Sequence, residues 1–153
     1  MANTEATSVV GTVIEVRKMG DTAWKKFVCN DNAFEIDYGE SEQITYECLE
    51  SGEEKTVAGT KKYSDIIFEY VWTQALTNEA DSIVKAAHEA TNTENKKIEV
   101  RLTMDNATTE ATGTTYVIPF IVLGYKHKGE AKGVWKTETK WKQIGQPTET
   151  AAQ

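Results

Sequence analysis

Histidine, cysteine and proline are scarce in this chain of 153 residues, which holds two of each. His88 and His127 have no cysteine or carboxylate at ligand spacing, so a zinc site is excluded and both read as surface residues. Cys29 and Cys48 form no C-x-x-C pair and read as two unlinked thiols. No run approaches the roughly 18 apolar residues of a membrane span, so no membrane anchor is expected. The N-terminus lacks both a basic segment and an apolar one, which implies cytosolic synthesis and leaves the glycosylation sequon at Asn106-Ala-Thr108 without a secretory context. The ten glycines build no phosphate cradle, and neither G-x-S-x-G nor H-E-x-x-H occurs.

Positive charge is also in the minority. With 24 acidic residues against 17 basic ones, the chain carries a net charge of -7, which disfavours direct nucleic-acid binding because phosphate neutralisation needs a basic face. The charges are unevenly spread. From Asp31 to Glu54 every charged residue is acidic, whereas Lys126, Lys128, Lys132, Lys136, Lys140 and Lys142 outnumber Glu130 and Glu138. This reads either as two solvated faces or as a polar molecule whose acidic part meets the basic part of a neighbour.

What is present is mostly period two, the pattern of strands with one buried face. Ile98, Val100, Leu102 and Met104 alternate with Lys97, Glu99, Arg101 and Thr103. From Tyr63 to Thr73, Ile66, Phe68, Tyr70 and Trp72 share one side. From Ala131 to Gln143, Trp135, Thr137, Thr139 and Trp141 oppose a cationic ladder of Lys136, Lys140 and Lys142 interrupted by Glu138. Thr114 to Tyr125 is apolar on both faces and must be covered twice, by the core and by something else. Pro119, which cannot donate to a ladder, marks that run as an edge strand or a bulge. Weaker strands are expected over 9–16, 24–29 and 43–49, the first two joined by a turn at Gly20-Asp21.

One segment departs from this. Between Leu76 and Ala90, Leu76, Ala80, Ile83, Val84 and Ala87 recur at helical spacing while Glu79, Asp81, Ser82, Lys85 and Glu89 fill the polar face. Thr77 or Asn78 can cap its start. The polar stretch from Glu50 to Lys62 reads as a long hairpin loop or extended arm, and the termini 1–8 and 145–153 as flexible ends of a single domain. The expected fold is mainly β, a β-sandwich or partly closed barrel with one flanking helix near 76–90.

Convergent titratable groups are missing, so no catalytic, cofactor-binding or metal site is assigned. Adjacent acids such as Glu53-Glu54 sit in a polar turn with nothing apolar to raise a pKa. Of Trp24, Trp72, Trp135 and Trp141, three fall in expected strands and read as core or interface packing rather than stacking platforms.

The order of elements resembles a known family. A strand pair (Val9 to Cys29) precedes the acidic stretch Phe34-Glu-Ile-Asp-Tyr-Gly-Glu40 and a strand ending Tyr46-Glu-Cys-Leu49. A long polar loop ending Lys55-Thr-Val-Ala-Gly59 then leads to Tyr63-Ser-Asp-Ile-Ile-Phe-Glu-Tyr70, a helix, and alternating strands closing in Ile144-Gly145. This pattern is similar to the major tail proteins of siphophages, the lambda-like tail tube group, with relatives in tailocins and in type VI secretion tubes.

The resemblance implies a virion protein that partners itself in stacked hexameric rings forming a smooth hollow tube through which DNA passes without specific binding. It also implies contacts with a tail-tip or baseplate initiator, a tape measure protein and a tail terminator, after assembly in the host cytoplasm. Subunit contacts are then expected at the arm, Glu50, Ser51, Gly52, Glu53, Glu54 and Lys55, and on the two-sided strand, at Val117, Pro119, Ile121 and Leu123. Ordering a loop of about a dozen residues costs on the order of 12–24 kcal/mol, which implies nucleated growth. Carboxylates lining the bore are a further expectation. The alternatives are a terminator or connector that forms one ring, and a β-sandwich module binding carbohydrate or protein through Trp24 or Trp141.

Overall fold

A computed structural model describes residues 12–27, 34–47, 49–72, 79–104 and 113–151. Both cysteines, the sequon, Leu76 and the helix-capping candidates Thr77 and Asn78 lie outside them. The elements are β1 (Val13–Lys18), β2 (Lys25–Lys26), β3 (Glu40–Glu47), β4 (Glu54–Lys62), β5 (Asp65–Val71), α1 (Glu79–Glu89), a 3-10 turn (Thr93–Lys96), β6 (Lys97–Thr103), β7 (Thr115–Lys128), β8 (Lys136–Gln143) and β9 (Thr148–Thr150). The fold is mainly β with one α-helix, as the periodicity implies, and its sheets are antiparallel and sandwich-like rather than closed into a barrel.

Alternation decides which face of the main sheet is core. In the strand order β2-β1-β6-β7-β8-β5, the inner positions Val16, Ile98, Val100, Ile118, Phe120, Val122, Trp141, Phe68 and Tyr70 are all buried. Phe27, just after β2 at one end of that order, places its ring 4.9 Å from Phe68 and from Tyr70 on β5 at the other end, and 6.0 Å from Trp141. The sheet therefore coils until its ends meet through aromatic packing. Helix α1 covers the remaining opening with Ala80, Val84 and Ala87.

The same helix buries Asp81, which the amphipathic pattern places on the wet side. The reason lies beneath it: Tyr70 and Tyr125 both donate their hydroxyls to Asp81 Oδ1, at 2.5 and 2.7 Å. Burial, reinforced by the bond to Asp81, pushes both phenols well above their ordinary pKa, so they stay neutral donors.

β7 is a central strand, which corrects the edge-strand reading of Pro119. The Pro119 carbonyl accepts from the Ile144 N–H at 3.1 Å, so its nitrogen faces the same side, where β8 stops and β9 begins. The missing N–H falls in that break, and a Cβ on Gly145 would lie 3.0 Å from Pro119 Cγ. The bulge is elsewhere in the strand, between Val122 and Gly124, and it turns Leu123 outward. The segment from Gly145, read as a flexible end, carries β9, which pairs with Thr115–Val117.

The Glu50–Lys62 segment is not a loop of unpaired backbone. Most of it is β4, laddered to β3 from Glu47↔Glu54 to Glu40↔Lys62 as a separate two-stranded sheet. The strand expected over 43–49 falls on β3, whereas β4 falls where a loop or arm is expected: every residue of both strands except Gly59 is exposed, so β4 has no one-sided burial to mark it. The large ordering cost attached to a structureless loop loses its premise.

Truncating Phe27 to alanine removes the contact that joins the two ends of the sheet, and a loss of about 3–5 kcal/mol is expected in urea unfolding. Asp81→Ala removes the shared acceptor of the buried Tyr70 hydroxyl and the half-buried Tyr125 hydroxyl, and is expected to cost on the order of 1–3 kcal/mol in the same measurement.

Candidate interaction surfaces

Among the described residues, three surfaces stand out: the arm, the outer face of the sheet, and an aromatic end. Among the described residues, no grouping of three His, Cys, Asp or Glu side chains is placed to hold a metal ion, and no helix is long and apolar enough to cross a membrane.

The arm is built from its root. Asp37 accepts from the Ser64 N–H at 2.7 Å and from the Gly39 N–H at 2.8 Å, tying the chain entering β3 to the chain leaving β4. These two backbone donors, Ser64 first, hold its carboxyl below the usual carboxylate range. Gly39 has φ +88°, and a Cβ there would lie 2.8 Å from the Tyr63 ring, so glycine is needed on both counts. Gln143 Nε2 donates to the Asp37 carbonyl at 2.6 Å and to the Gly145 carbonyl at 2.8 Å, anchoring the root at the β8–β9 break.

Beyond the root the arm is two-faced. Ile44 stands opposite Val57, and Tyr46 follows two residues on, giving one half-exposed apolar face. Gln43, Thr45 and Glu47 face the other way, opposite Ala58, Thr56 and Glu54. Glu50 and Ser51 lie in the turn, Gly52 follows with φ +66°, and the Glu53 N–H meets Ser51 Oγ at 3.3 Å. Lys55 lies in the ladder across from Tyr46. The expected contact residues 50–55 are thus the tip of the arm, and Leu49 beside them is fully exposed.

On the outer face of the main sheet, Val117, Pro119 and Ile121 are half-buried beside the charged strands β1 and β6. Arg101 grips Glu15 at 2.9 Å and Arg17 reaches Glu99 at 3.2 Å. Both guanidiniums stack on Trp24, 4.2 and 4.7 Å from its ring centre, a cluster that period-two reading does not foresee. In the expected cationic ladder of β8, Lys140 lies 3.8 Å from Asp65, and Glu138 takes up Lys126 of the neighbouring β7 at 2.9 Å. Lys128 of β7 pairs with Glu69 at 2.8 Å. The tip of the arm and the Val117–Leu123 strip lie on different sheets, and the fold does not bring them together within one chain.

The third surface corrects the placement of Trp135 inside a half-buried strand. Trp135 precedes β8, is 58 % exposed, and lies over Gly129, where a Cβ would come within 2.8 Å of the ring. With Trp72 and His127 it lines an open cleft of about 340 Å³. Trp72 sits edge-on to His127 at 5.5 Å, and the Trp72 N–H donates to the Trp135 carbonyl at 2.9 Å. Of the four tryptophans, only Trp141 is a fully buried core residue lying within a strand. His127 is exposed as expected, whereas His88 is half-buried, its ring stacked 6.2 Å from that of Tyr125.

Solved structures with the same architecture belong to large assemblies. A chain of the sheath/tube terminator of the PVC extracellular contractile injection system aligns at a TM-score of 0.66 and 14% identity, over 98% of this chain and 100% of that one. A chain of the anti-feeding prophage tube-terminating cap aligns at 0.66 and 8% identity, over 99% and 95%. A chain of the C6-symmetric tail of the empty GTA particle aligns at 0.62 and 18% identity, over 95% and 100%. The fold is that of subunits found in tails and tube terminators. No family model and no curated protein matches the sequence.

The Asp37 carboxylate is stabilised by folding, so its contribution to the root is present above the ordinary value of 3.8 and is lost as pH falls through the lower folded value. In an acid titration followed by NMR, the Gly39 and Ser64 amide signals are expected to shift together below pH 3.8 and to exchange faster with solvent, while Phe120 and Val100 amides stay protected.

Proposed function

We propose that this protein is a structural subunit of a phage-type tail, assembling with copies of itself into a ring of the tail-tube fold that ends the tube as a terminator or cap. The observation that carries this reading is the end-to-end likeness to chains of the PVC sheath/tube terminator and of the anti-feeding prophage cap, each at a TM-score of 0.66. The likeness runs over 98% of this chain and 100% of the terminator chain, and over 99% and 95% for the cap chain.

The uncovered surfaces support self-association. Val117, Pro119 and Ile121 keep an apolar strip half-open on the outer face, and Ile44, Tyr46 and Val57 keep another on the arm. Such surfaces on a small domain are what a ring neighbour buries. Six copies is the proposed number, and the role proposed is structural, not catalytic. The particle tail is the proposed location, with neighbouring tail components as partners and DNA passing the bore unbound.

The second reading, the repeating subunit of the tube itself, draws on the likeness to a C6-symmetric tail at 0.62 and to the PVC sheath-tube complex at 0.63. Those values lie close to the terminator values, and particle shape separates the two.

Negative-stain microscopy of the concentrated protein is expected to show discrete sixfold rings. Long hollow tubes would establish the tube reading instead, and monomers at every concentration, with or without tail fragments as seeds, would overturn both. Val117→Arg places an unpaired charge in the strip and is expected to abolish rings while leaving the unfolding midpoint unchanged.

A further inference from the structure

The arm and the aromatic cleft sit at opposite ends of the same strands. Strand β5 begins beside the arm's root at Asp65↔Lys142 and ends beside the cleft at Val71↔Lys136. Its seven residues separate the two by about 20 Å at ~3.3 Å per residue. Each end carries what the other lacks. The arm offers the projecting apolar face of Ile44, Tyr46 and Val57. The far end offers the concave cleft of Trp72, His127 and Trp135, and Val134, exposed one residue before Trp135, lines a separate cavity with Lys128, Glu130 and Lys136.

Charge follows the same division. The arm's tip carries Glu47, Glu50, Glu53 and Glu54 against Lys55. Around the cleft end, Lys126, Lys128, Lys132 and Lys136 stand on and beside the β7–β8 turn against Glu69, Glu130 and Glu138, Lys126 being paired with Glu138 and Lys128 with Glu69. A feature at one end that fits the other end of an identical molecule makes a head-to-tail contact, and repetition closes it into a ring when the rotation divides a full turn. Complementary potentials fix the register of such a contact.

We infer that the Trp72–His127–Trp135 cleft is the receptor for the arm of a second copy, with Ile44 and Tyr46 seated among the rings and the acidic tip lying along the β7–β8 turn at Lys132. The inference rests on the self-assembly reading and adds to it the occupant of this cleft. It also accounts for Gly129, whose missing side chain lets the Trp135 ring lie flat against the turn and form the cleft wall.

The test uses the full chain with Val134→p-benzoylphenylalanine as a photoprobe next to Trp135, in the cavity shared with Lys128 and Lys136, mixed with isotope-labelled wild type, assembled and irradiated. Mass spectrometry is expected to find the probe joined to residues 40–62 of the labelled copy. Joining to any other segment, or only to its own chain, overturns the inference. Ile44→Asp and Trp135→Ser are each expected to raise the concentration needed for particles at least tenfold, the effect of losing a buried anchor, with circular dichroism and the unfolding midpoint unchanged. An unchanged threshold in either variant also overturns it. Failure of the wild type to form particles instead sinks the self-assembly reading itself, and is seen before any variant is made.

Discussion

The whole arrangement depends on one aromatic side chain reaching across a gap that, among the described residues, no strand pairing closes. Phe27 contacts rings carried by β5 and β8, at the far end of the strand order from its own strand. Its packing sets the curl of the sheet, and the curl determines everything outside it. The concave side is sealed by Phe27, Phe34 and helix α1. The convex side must therefore present every alternate residue of β1, β6, β7 and β5 to solvent or to a partner. Sealing by rings rather than by a ladder also leaves β2 and β5 as sheet edges.

Inside that curl the polar groups are matched to the elements that bury them. Thr139 turns its hydroxyl to the Phe68 carbonyl at 3.0 Å, while Tyr70 and Tyr125 converge on Asp81. A carboxylate under a helix is costly unless its lone pairs are filled, and two phenols fill them here. The same cluster fixes α1 against the sheet by geometry as well as by apolar contact. This leaves the outer face free to be specified by other demands, and there the guanidiniums of Arg17 and Arg101 clamp Trp24 beside their carboxylate partners.

Legibility in the sequence followed burial. β6 was readable to the residue because Ile98, Val100 and Leu102 meet core and their neighbours do not. The double-sided character of β7 was readable too, and its outer side chains are the half-buried Val117, Pro119 and Ile121. Of the arm, β3 was legible as the weak strand over 43–49 and its outward reach as an extended segment, but β4 was not legible as a strand, because its solvent-exposed residues are nearly all polar. Pro119 misled because the rule that proline avoids central strands concerns the missing donor, and here a neighbouring strand ends opposite it. Asp81 was hidden for a related reason: helical spacing separates faces by hydropathy and cannot know that two hydroxyls wait beneath. The aromatic cleft joins Trp72 to Trp135 across a strand pairing, a juxtaposition only the β5–β8 register creates.

The separateness of the β3–β4 ladder has a consequence for how such a molecule changes over time. Because its rungs are shared with no other strand and its root is held by Asp37 and Gly39, the hairpin's length is decoupled from the body. Each added pair of residues on both strands extends the reach by about 6–7 Å and returns the same side chains to the same face. A single added residue per strand would instead invert the pattern and turn its greasy side away. Span is therefore quantised, and related chains of this build are free to differ in it by whole steps without repacking a single core residue.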